Sequence, residues 1–442
     1  MRMLPGVHVP HRKNTAACQP ERIPLPAQVV IPMSMNIGAP GKPVVKVGQQ
    51  VALGEPIAES GGFVSAPIHA SVAGKVTKIG EVLQSSGRFV PAVTIETSPE
   101  QPLWDGISPP QIETKEDFLN AVRSSGVVGL GGAGFPAAAK LTVNAHVDAI
   151  IINGAECEPY ITSDTRTMLD DADLVVAGID LLLKYIEPDK VVFGIENNKP
   201  ECISLYQKRC GGNPKIDVRA LPAKYPQGGE KVLIYNTTGR MVPMGKLPID
   251  VGCIVINCTT VAAIARFVQT GMPLVEKVVT VDGSAVKEPK NVIAPIGTPM
   301  EKLFEYCGGF KEEPAKVLYG GPMMGVSVAS LQEPIMKNTN AILAMNEKDA
   351  REPKMTNCIH CGRCTAACPL HLTPYAIERA FLLEDDASLV ALNVANCMEC
   401  GCCSFVCPAK RRLVQTNKLS KVRVRNYQQK LKEAQEKEAA KA

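Results

Sequence analysis

Eight cysteines near the C-terminus fall in two runs of one spacing, Cys358-x2-Cys361-x2-Cys364-x3-Cys368-Pro369 and Cys397-x2-Cys400-x2-Cys403-x3-Cys407-Pro408. In such a run three thiolates grip one cubane [4Fe–4S] cluster, and the fourth, just before proline, crosses to a second cluster. The spacing therefore predicts that Cys358, Cys361, Cys364 and Cys407 hold one cluster, and that Cys397, Cys400, Cys403 and Cys368 hold the other. Pairs of C-x2-C also build tetrahedral zinc sites, but zinc needs two pairs, not two complete runs. A chain built this way moves electrons one at a time.

The length of 442 residues, with 45% hydrophobic content, allows roughly three domains with sizeable cores. The remaining cysteines (Cys18, Cys157, Cys202, Cys210, Cys253, Cys258, Cys307 and Cys402) show no disulfide-framework spacing. Thiolates and free thiols together argue for a reducing compartment, the cytoplasmic side. The opening residues lack the apolar core of a signal peptide, and no stretch approaches the ~20 apolar residues of a membrane span. Eleven Lys/Arg against three Asp/Glu crowd Ala409–Ala442, so the rest of a chain of net charge +4 is slightly acidic. Such a basic tail either docks on an acidic partner or membrane surface, or is a solvated, frayed helix. Aromatic content of 5% gives nucleic-acid stacking little support.

Along the chain, residues 26–98 read as short strands with Gly/Pro turns. They resemble the barrel-sandwich hybrid of biotinyl and lipoyl domains, with His69-Ala70-Ser71 at the hairpin tip where those domains carry a modifiable lysine. A structural or docking role is expected there, with His69 either a hydrogen-bonded turn residue or a group tuning a partner's site. After a Pro-rich linker the pattern alternates. Helices are expected at 115–125, 163–186 (capped by Ser163 or Asp164), 199–209, 230–236 and 261–269, and strands at 147–153, 190–195, 215–220 and 252–257. Alternation of this kind implies a Rossmann-like parallel sheet covered by helices. Residues 277–330 resemble the small β-grasp domain called soluble-ligand-binding, and 330–355 read as a loose stretch. The expected domains are thus 1–100 (barrel-sandwich hybrid), 113–272 (α/β), 273–330 (β-grasp), 345–412 (a helical two-cluster ferredoxin domain) and 413–442 (basic helical tail), a multidomain α/β chain.

Two loops of the α/β region carry further chemistry. Gly129, Gly131 and Gly134 spell G-x-G-x-x-G, but a helix rather than a strand precedes them, which fits the dinucleotide fingerprint poorly. The alternatives are a glycine loop that lets a flat ring or phosphate approach the backbone, or a plain turn. The second loop, Asn153-Gly154-Ala155-Glu156-Cys157-Glu158-Pro159, follows a strand at the end where open α/β sheets bind ligands. Its carboxylates either accept hydrogen bonds from ribose or nicotinamide, or cap the following helix.

Gly131-Gly132-Ala133-Gly134-Phe135-Pro136, Lys140, Asn153-x-x-Glu156-x-Glu158-Pro159, Tyr225-x-x-Gly228-x-Glu230 and Asn257-Cys258-Thr259-Thr260 together resemble the NADH- and FMN-binding subunit of respiratory complex I. The full domain order resembles the C subunit of the Rnf complex, the membrane-bound ferredoxin:NAD⁺ oxidoreductase. Pro5-Gly6-Val7-His8 and the segment 65–71 belong to the same resemblance. It implies FMN and NAD(H) bound by Gly129, Gly131, Gly132, Ala133, Gly134, Lys140, Asn153, Glu156, Tyr225, Gly228, Glu230, Asn257, Thr259 and Thr260, with Phe135 and Glu158 at the reacting nicotinamide. It also implies membrane-embedded and ferredoxin-like Rnf partner subunits, and a peripheral place on the cytoplasmic face of the membrane. Relative to the complex I subunit, Leu130 replaces an arginine, Ala155 an aspartate and Gly229 a glutamate, Val143 stands for an aromatic, and there are ligands for two clusters rather than one.

These parts belong together chemically. A nicotinamide exchanges two electrons and a cubane one, so a flavin is expected between them. Cys402 is expected to be a non-ligand, and His360 and His371 either surface residues or groups that tune a cluster. Two other readings compete: a soluble cobalamin reductase of propanediol-degrading microcompartments, and a relay or scaffold subunit with a decayed flavin site.

Overall fold

The computed structural model describes residues 3–439. The first two residues of the expected hybrid domain and the last three of the tail lie outside them. The chain divides into two compact units. The larger comprises His11–Pro222 and Pro248–Arg351, the smaller Met1–Pro10, Ala223–Leu247 and Glu352–Ala442.

At the centre of the larger unit is a four-stranded parallel sheet in the order Ile216–Leu221, Lys190–Glu196, Ala149–Gly154, Cys253–Asn257. Ile150–Ile152 and Val191–Phe193 are fully buried and Ile254–Ile256 nearly so, the continuous apolar runs that a sheet covered on both faces demands. Helices Lys115–Ser124, Ala172–Tyr185, Pro200–Cys210 and Cys258–Thr270 join it in one core. The first begins in a capping box between Thr114 and Asp117. The single long helix expected over 163–186 is instead two, Ser163–Asp170 and Ala172–Tyr185. They break at the Asp170–Asp171 pair, where short acidic side chains favour non-helical backbone. Arginines draw the two carboxylates apart, Arg166 holding Asp170 and Arg266 holding Asp171 at 3.0 Å.

Two small antiparallel sheets follow the N-terminal segment. One orders Gln28–Pro32, Phe89–Thr97, Gly74–Leu83, Gln50–Val51; the other Lys42–Pro43, Pro56–Glu59, Ile68–His69. They close on Val29, Ile31, Ile57, Val76, Val93 and Ile95. The expected hairpin tip is not a tip: His69, Ala70 and Ser71 are all buried. His69 Nδ1 has no hydrogen-bond partner, and burial, reinforced by the charge of Lys337, pushes its pKa down to about 3. It is a neutral core residue, neither a docking group nor a hydrogen-bonded turn residue.

The fourth sheet has six strands in the order Glu21–Arg22, Lys290–Pro295, Glu276–Asp282, Ala341–Met345, Lys316–Tyr319, Val326–Ser327. The stretch 330–355, expected to be loose, therefore contains an inner strand of this sheet. Ala341-Ile342-Leu343-Ala344-Met345 is buried throughout. Ile342 and Ala344 enter one core, and Ala341, Leu343 and Met345 another. A strand buried on both faces shows no polar alternation, which is why the period-2 pattern missed it. The expected boundary at residue 330 cuts this sheet.

In the smaller unit, short helices Arg363–Ala366, Pro374–Leu382, Asp386–Ala391 and Cys402–Phe405 are followed by the 27-residue helix Leu413–Ala439. The expected tail is therefore two things. Leu413, Asn417, Ser420 and Val424, on one helical face, are buried, and Arg423 binds Asp386 at 2.8 Å, so this half is part of the cluster domain. Beyond it the helix is largely exposed. Among the described residues no helix is long and apolar enough to cross a membrane.

Candidate cofactor sites

The two cysteine runs fold alike. In each, the residue before the second cysteine (His360, Glu399), the glycine after it (Gly362, Gly401) and the third residue after the fourth cysteine (His371, Lys410) have positive φ. These left-handed residues curl the chain and open the short helices that carry Cys364 and Cys403. Two cavities result. One, of about 360 Å³ with its mouth, is lined by Cys358, Cys361, Cys364 and Cys407, with Tyr375 and Arg411 beside them. The other, of about 320 Å³, is lined by Cys397, Cys400, Cys403 and Cys368, with Cys402 and Asn417. Each cavity thus draws three thiols from one run and one from the other, the grouping that the spacing predicts.

Thiol spacing separates the two candidate metals. In a zinc tetrahedron with bonds of about 2.3 Å, the thiolates stand about 3.8 Å apart. Among the described residues no three cysteine sulfurs lie within 4.8 Å of one another; the one group of metal-ligand type that does is the surface set His146, Asp148 and Asp189. Both cavities fit a larger group than one ion. Cys402 lines the second cavity, but its thiol is turned to the Tyr225 carbonyl at 3.9 Å, and a hydrogen bond with Cys400 pushes its pKa well up. His360 and His371 are exposed, His360 lying edge-on to Tyr375 at 5.9 Å.

The glycine loop belongs to the larger unit. It is pinned at its base by Gly129 N to the Phe135 carbonyl (2.8 Å) and Leu130 N to Thr260 Oγ1 (2.9 Å), while Asn338 Nδ2 holds the Gly132 carbonyl (2.8 Å). Gly131, Gly132 and Ala133 form an exposed crest. Gly132 has φ +123° and open space where a Cβ would stand; a Cβ on Gly131 would meet Asn257 Nδ2 at 2.8 Å. Asn257 ends its strand beside Asn153 and caps helix Cys258–Thr270, accepting the amides of Thr259 (3.0 Å) and Thr260 (3.2 Å). Asp164 then receives Asn257 Nδ2 (2.8 Å) and Thr259 Oγ1 (2.7 Å). Asn153 Oδ1 accepts the amide of Ala155 at 3.1 Å. Lys140 reaches the Val255 carbonyl (3.0 Å) and lies 6.0 Å from the Phe135 ring centre. The arrangement gathers an exposed backbone crest, a helix N-terminus and a lysine at the C-terminal ends of adjacent parallel strands, where such sheets bind ligands. The crest and the open space at Gly132 fit a planar ring laid against backbone.

In the acidic loop Glu156 takes the helix-capping alternative. Glu156 is buried. Its oxygens accept Asp164 N (2.7 Å) and Thr165 Oγ1 (2.6 Å), so it, not Ser163 or Asp164, caps helix Ser163–Asp170. Lys13 lies 3.6 Å from Glu156 and donates to the carbonyls of Glu156 (2.7 Å) and Glu158 (2.9 Å). Burial raises the pKa of Glu156 and lowers that of Lys13, each shift opposed by the partner's charge. Glu158 accepts the amides of Met323 (3.0 Å) and Met324 (2.8 Å), bracing the turn 321–325. Both carboxylates expected on the nucleotide are engaged with protein.

Tyr225, Gly228 and Glu230 belong to the smaller unit. Tyr225 is buried and bridges to Val7 of the N-terminal segment, and Glu230 opens helix Glu230–Thr238. A Cβ on Gly229 would meet the terminal methyl of Met398, in the second cysteine run, at 2.3 Å and the Pro226 carbonyl at 3.2 Å. Sequence reasoning missed three contributors to the glycine loop and its cap: Asp164, Asn338 and Lys277. Buried Lys277 lies 3.4 Å from the Leu130 carbonyl, with its pKa drawn down to about 8 by burial. Only Asp164 was in view, as a helix cap; the other two lie far along the chain.

Family profiles match most of residues 1–408: an RnfC barrel sandwich hybrid domain over residues 1–100, a Nuo51 FMN-binding domain over 122–266, an SLBB domain over 278–327, and 4Fe-4S dicluster domains over 351–408 and 322–373. Among similar proteins, the C subunit of the proton-translocating ferredoxin:NAD(+) oxidoreductase complex of Clostridium ljungdahlii is 45% identical, covering 84% of this chain and 82% of that one. Its Na(+)-translocating counterpart from Acetobacterium woodii is 42% identical, over 84% of this chain and 85% of its own. The C subunit of an ion-translocating oxidoreductase complex of Pseudomonas aeruginosa is 39% identical over 98% of this chain and 57% of its own.

Proposed function

Because the chain belongs to the RnfC family, the C subunits of ion-translocating ferredoxin:NAD⁺ oxidoreductase complexes, we propose that it is the subunit through which such a complex exchanges electrons with NAD(H). Its cofactors are FMN and two [4Fe–4S] clusters. FMN, when bound, exchanges electron pairs with a nicotinamide and single electrons with a cubane. The observation that carries the reading is the pair of four-thiol cavities, each drawing on both cysteine runs, in a chain that also folds a glycine-crested flavin domain.

In this reading Cys358, Cys361, Cys364 and Cys407 ligate one cluster, and Cys397, Cys400, Cys403 and Cys368 the other. Gly129, Gly131, Gly132, Ala133 and Gly134 admit the flavin ring to the backbone, with Asn153, Asn257, Thr259 and Thr260 fixing the adjacent strand ends and helix start. Lys140 supplies positive charge, and Phe135 shields the nicotinamide. Tyr225, Gly228 and Glu230 remain flavin-contact candidates. Glu156 moves from nucleotide contact to buried cap, and Glu158 from reacting group to brace, because their oxygens are already engaged. Partners are the other subunits of an Rnf complex, membrane-embedded and ferredoxin-like, which hold this chain at the cytoplasmic face of the membrane. The names of the relatives favour this reading over a microcompartment cobalamin reductase or a relay with a decayed flavin site.

The test is anaerobic reconstitution of the chain. Roughly eight irons with matching labile sulfide, one non-covalent FMN, and NADH oxidation with an artificial one-electron acceptor are expected. Stoichiometric zinc without sulfide, or refusal of FMN, overturns it. Purification with its partner subunits from the native membrane tests the assembly.

A further inference from the structure

The two cavities are not equivalent. In the first, Cys361 is exposed and Cys358 partly so; in the second, only Cys397 is partly exposed and the other three cysteines are buried. A cluster gains negative charge on reduction, so deeper burial alone would hold the second one oxidised, at lower potential. Against that background one side chain stands out. Asn417, on the helix Leu413–Ala439, is 1% exposed, and its Nδ2 points at Cys397 Sγ, 3.4 Å away. Its Oδ1 has no partner among the described residues. A helix interior gains nothing from a buried, half-satisfied amide, so folding alone does not explain Asn at this position. Ser420 on the same face satisfies itself by bonding the Thr416 carbonyl at 2.8 Å; Asn417 bonds the thiol instead. One turn on, Lys421 donates to the Cys397 carbonyl (2.9 Å) and to Glu399 (2.6 Å), which holds the helix against this cysteine and pairs off the lysine's charge. In the first cavity, the charge of Arg411 is likewise taken up by Glu378 at 3.0 Å, and no side-chain amide reaches the cysteines there among the described residues.

We propose that Asn417 is a positioning residue that raises the reduction potential of the second cluster through its N–H···S bond to Cys397. The bond strengthens as the sulfur becomes more negative, so it favours the reduced state. It offsets the burial of that cavity and brings its potential toward that of the more exposed one, so that single electrons pass in either direction between them. The proposal rests on the cluster reading above.

The test is a redox titration of the reconstituted full-length chain, followed by electron paramagnetic resonance. In Asn417→Leu one of the two midpoints is expected to move negative, by about tenfold in the one-electron equilibrium, which is 59 mV; the other stays. In a Cys361→Ser background, where only the second cavity is intact, the same shift is expected. Asn417→Asp, which keeps the shape but places an oxygen or a negative charge beside the sulfur, is expected to move the same midpoint further. If Asn417→Leu loses iron, the Asn417→Asp midpoint decides. Unmoved midpoints with full iron and sulfide overturn the tuning role alone. A wild-type chain that takes up no sulfide overturns the cluster reading, and this proposal with it.

Discussion

Asn257 Nδ2 stands 2.8 Å from Asp164 Oδ2, and this bond fixes the amide against which the glycine crest packs. The oxygen of the same amide holds the first turn of helix Cys258–Thr270, so the side chain cannot rotate without losing three hydrogen bonds. A methyl group on Gly131 would stand 2.8 Å from that pinned nitrogen. Gly131→Ala is therefore expected to displace the crest, lower FMN content several-fold and cost about 1–3 kcal/mol of stability. Gly132→Ala meets no atom but must adopt φ +123°, so it is strained by backbone alone and fills the space expected for the ring. Flavin absorbance after gel filtration, together with urea midpoints, checks both.

Crossed ligation makes a second prediction. Cys368→Ser lies in the first run yet should damage the cluster of Cys397, Cys400 and Cys403, and Cys407→Ser in the second run should damage that of Cys358, Cys361 and Cys364. Spectra of the surviving cluster, compared with those of Cys361→Ser and Cys400→Ser, identify which is lost. If Cys368→Ser and Cys361→Ser spare the same cluster, the crossing is wrong.

Buried His69 makes stability acid-sensitive. Its pKa in the fold is about 3 against an ordinary 6.5, lowered by burial and then by Lys337. Below pH 6.5 the unfolded chain takes up a proton that the folded chain refuses. Stability is therefore present above 6.5 and falls by about 1.4 kcal/mol per pH unit between 6.5 and 3. His69→Leu should flatten that slope. Urea midpoints at pH 7 and pH 5 for the two proteins give the comparison; equal slopes would refute the assignment.

The acidic loop should behave as structure. Glu156→Gln breaks a buried contact with Lys13 and is expected to cost about 3 kcal/mol, leaving the NADH dependence of the rate within about twofold. Glu158→Ala strands two backbone amides of the turn 321–325 and is expected to cost about 1–3 kcal/mol. A large rise in the KM for NADH with unchanged urea midpoints would return these acids to the nucleotide site.

The cysteine runs were legible in full because their ligand chemistry is local. The parallel sheet was legible from Ala149–Gly154 and Lys190–Glu196, whose apolar runs leave no other home. Glu156 was legible only as a choice of two, since a carboxylate after a strand can face a ligand or turn back to a helix start. What decides is Lys13, 143 residues earlier, which draws the loop inward. The first half of the final helix was read as tail because Lys418, Lys421 and Arg423 alternate with the few buried positions that seat it, two of them the polar Asn417 and Ser420. Ala341–Met345 escaped because burial on both faces erased the alternation that marks a strand.

That last strand has a consequence for synthesis. Ala341–Met345 lies between Glu276–Asp282 and Lys316–Tyr319, pairing with both. Translation at about 5–20 residues per second leaves the inner edge of Glu276–Asp282 without its neighbour for roughly 3–13 s after Asp282 is made. For that interval the nascent chain displays an open, apolar strand edge of the kind that recruits other chains. A ribosome stalled anywhere between Asp282 and Ala341 would hold the protein in that state, with an edge that a chaperone acting on the growing chain would have to cover.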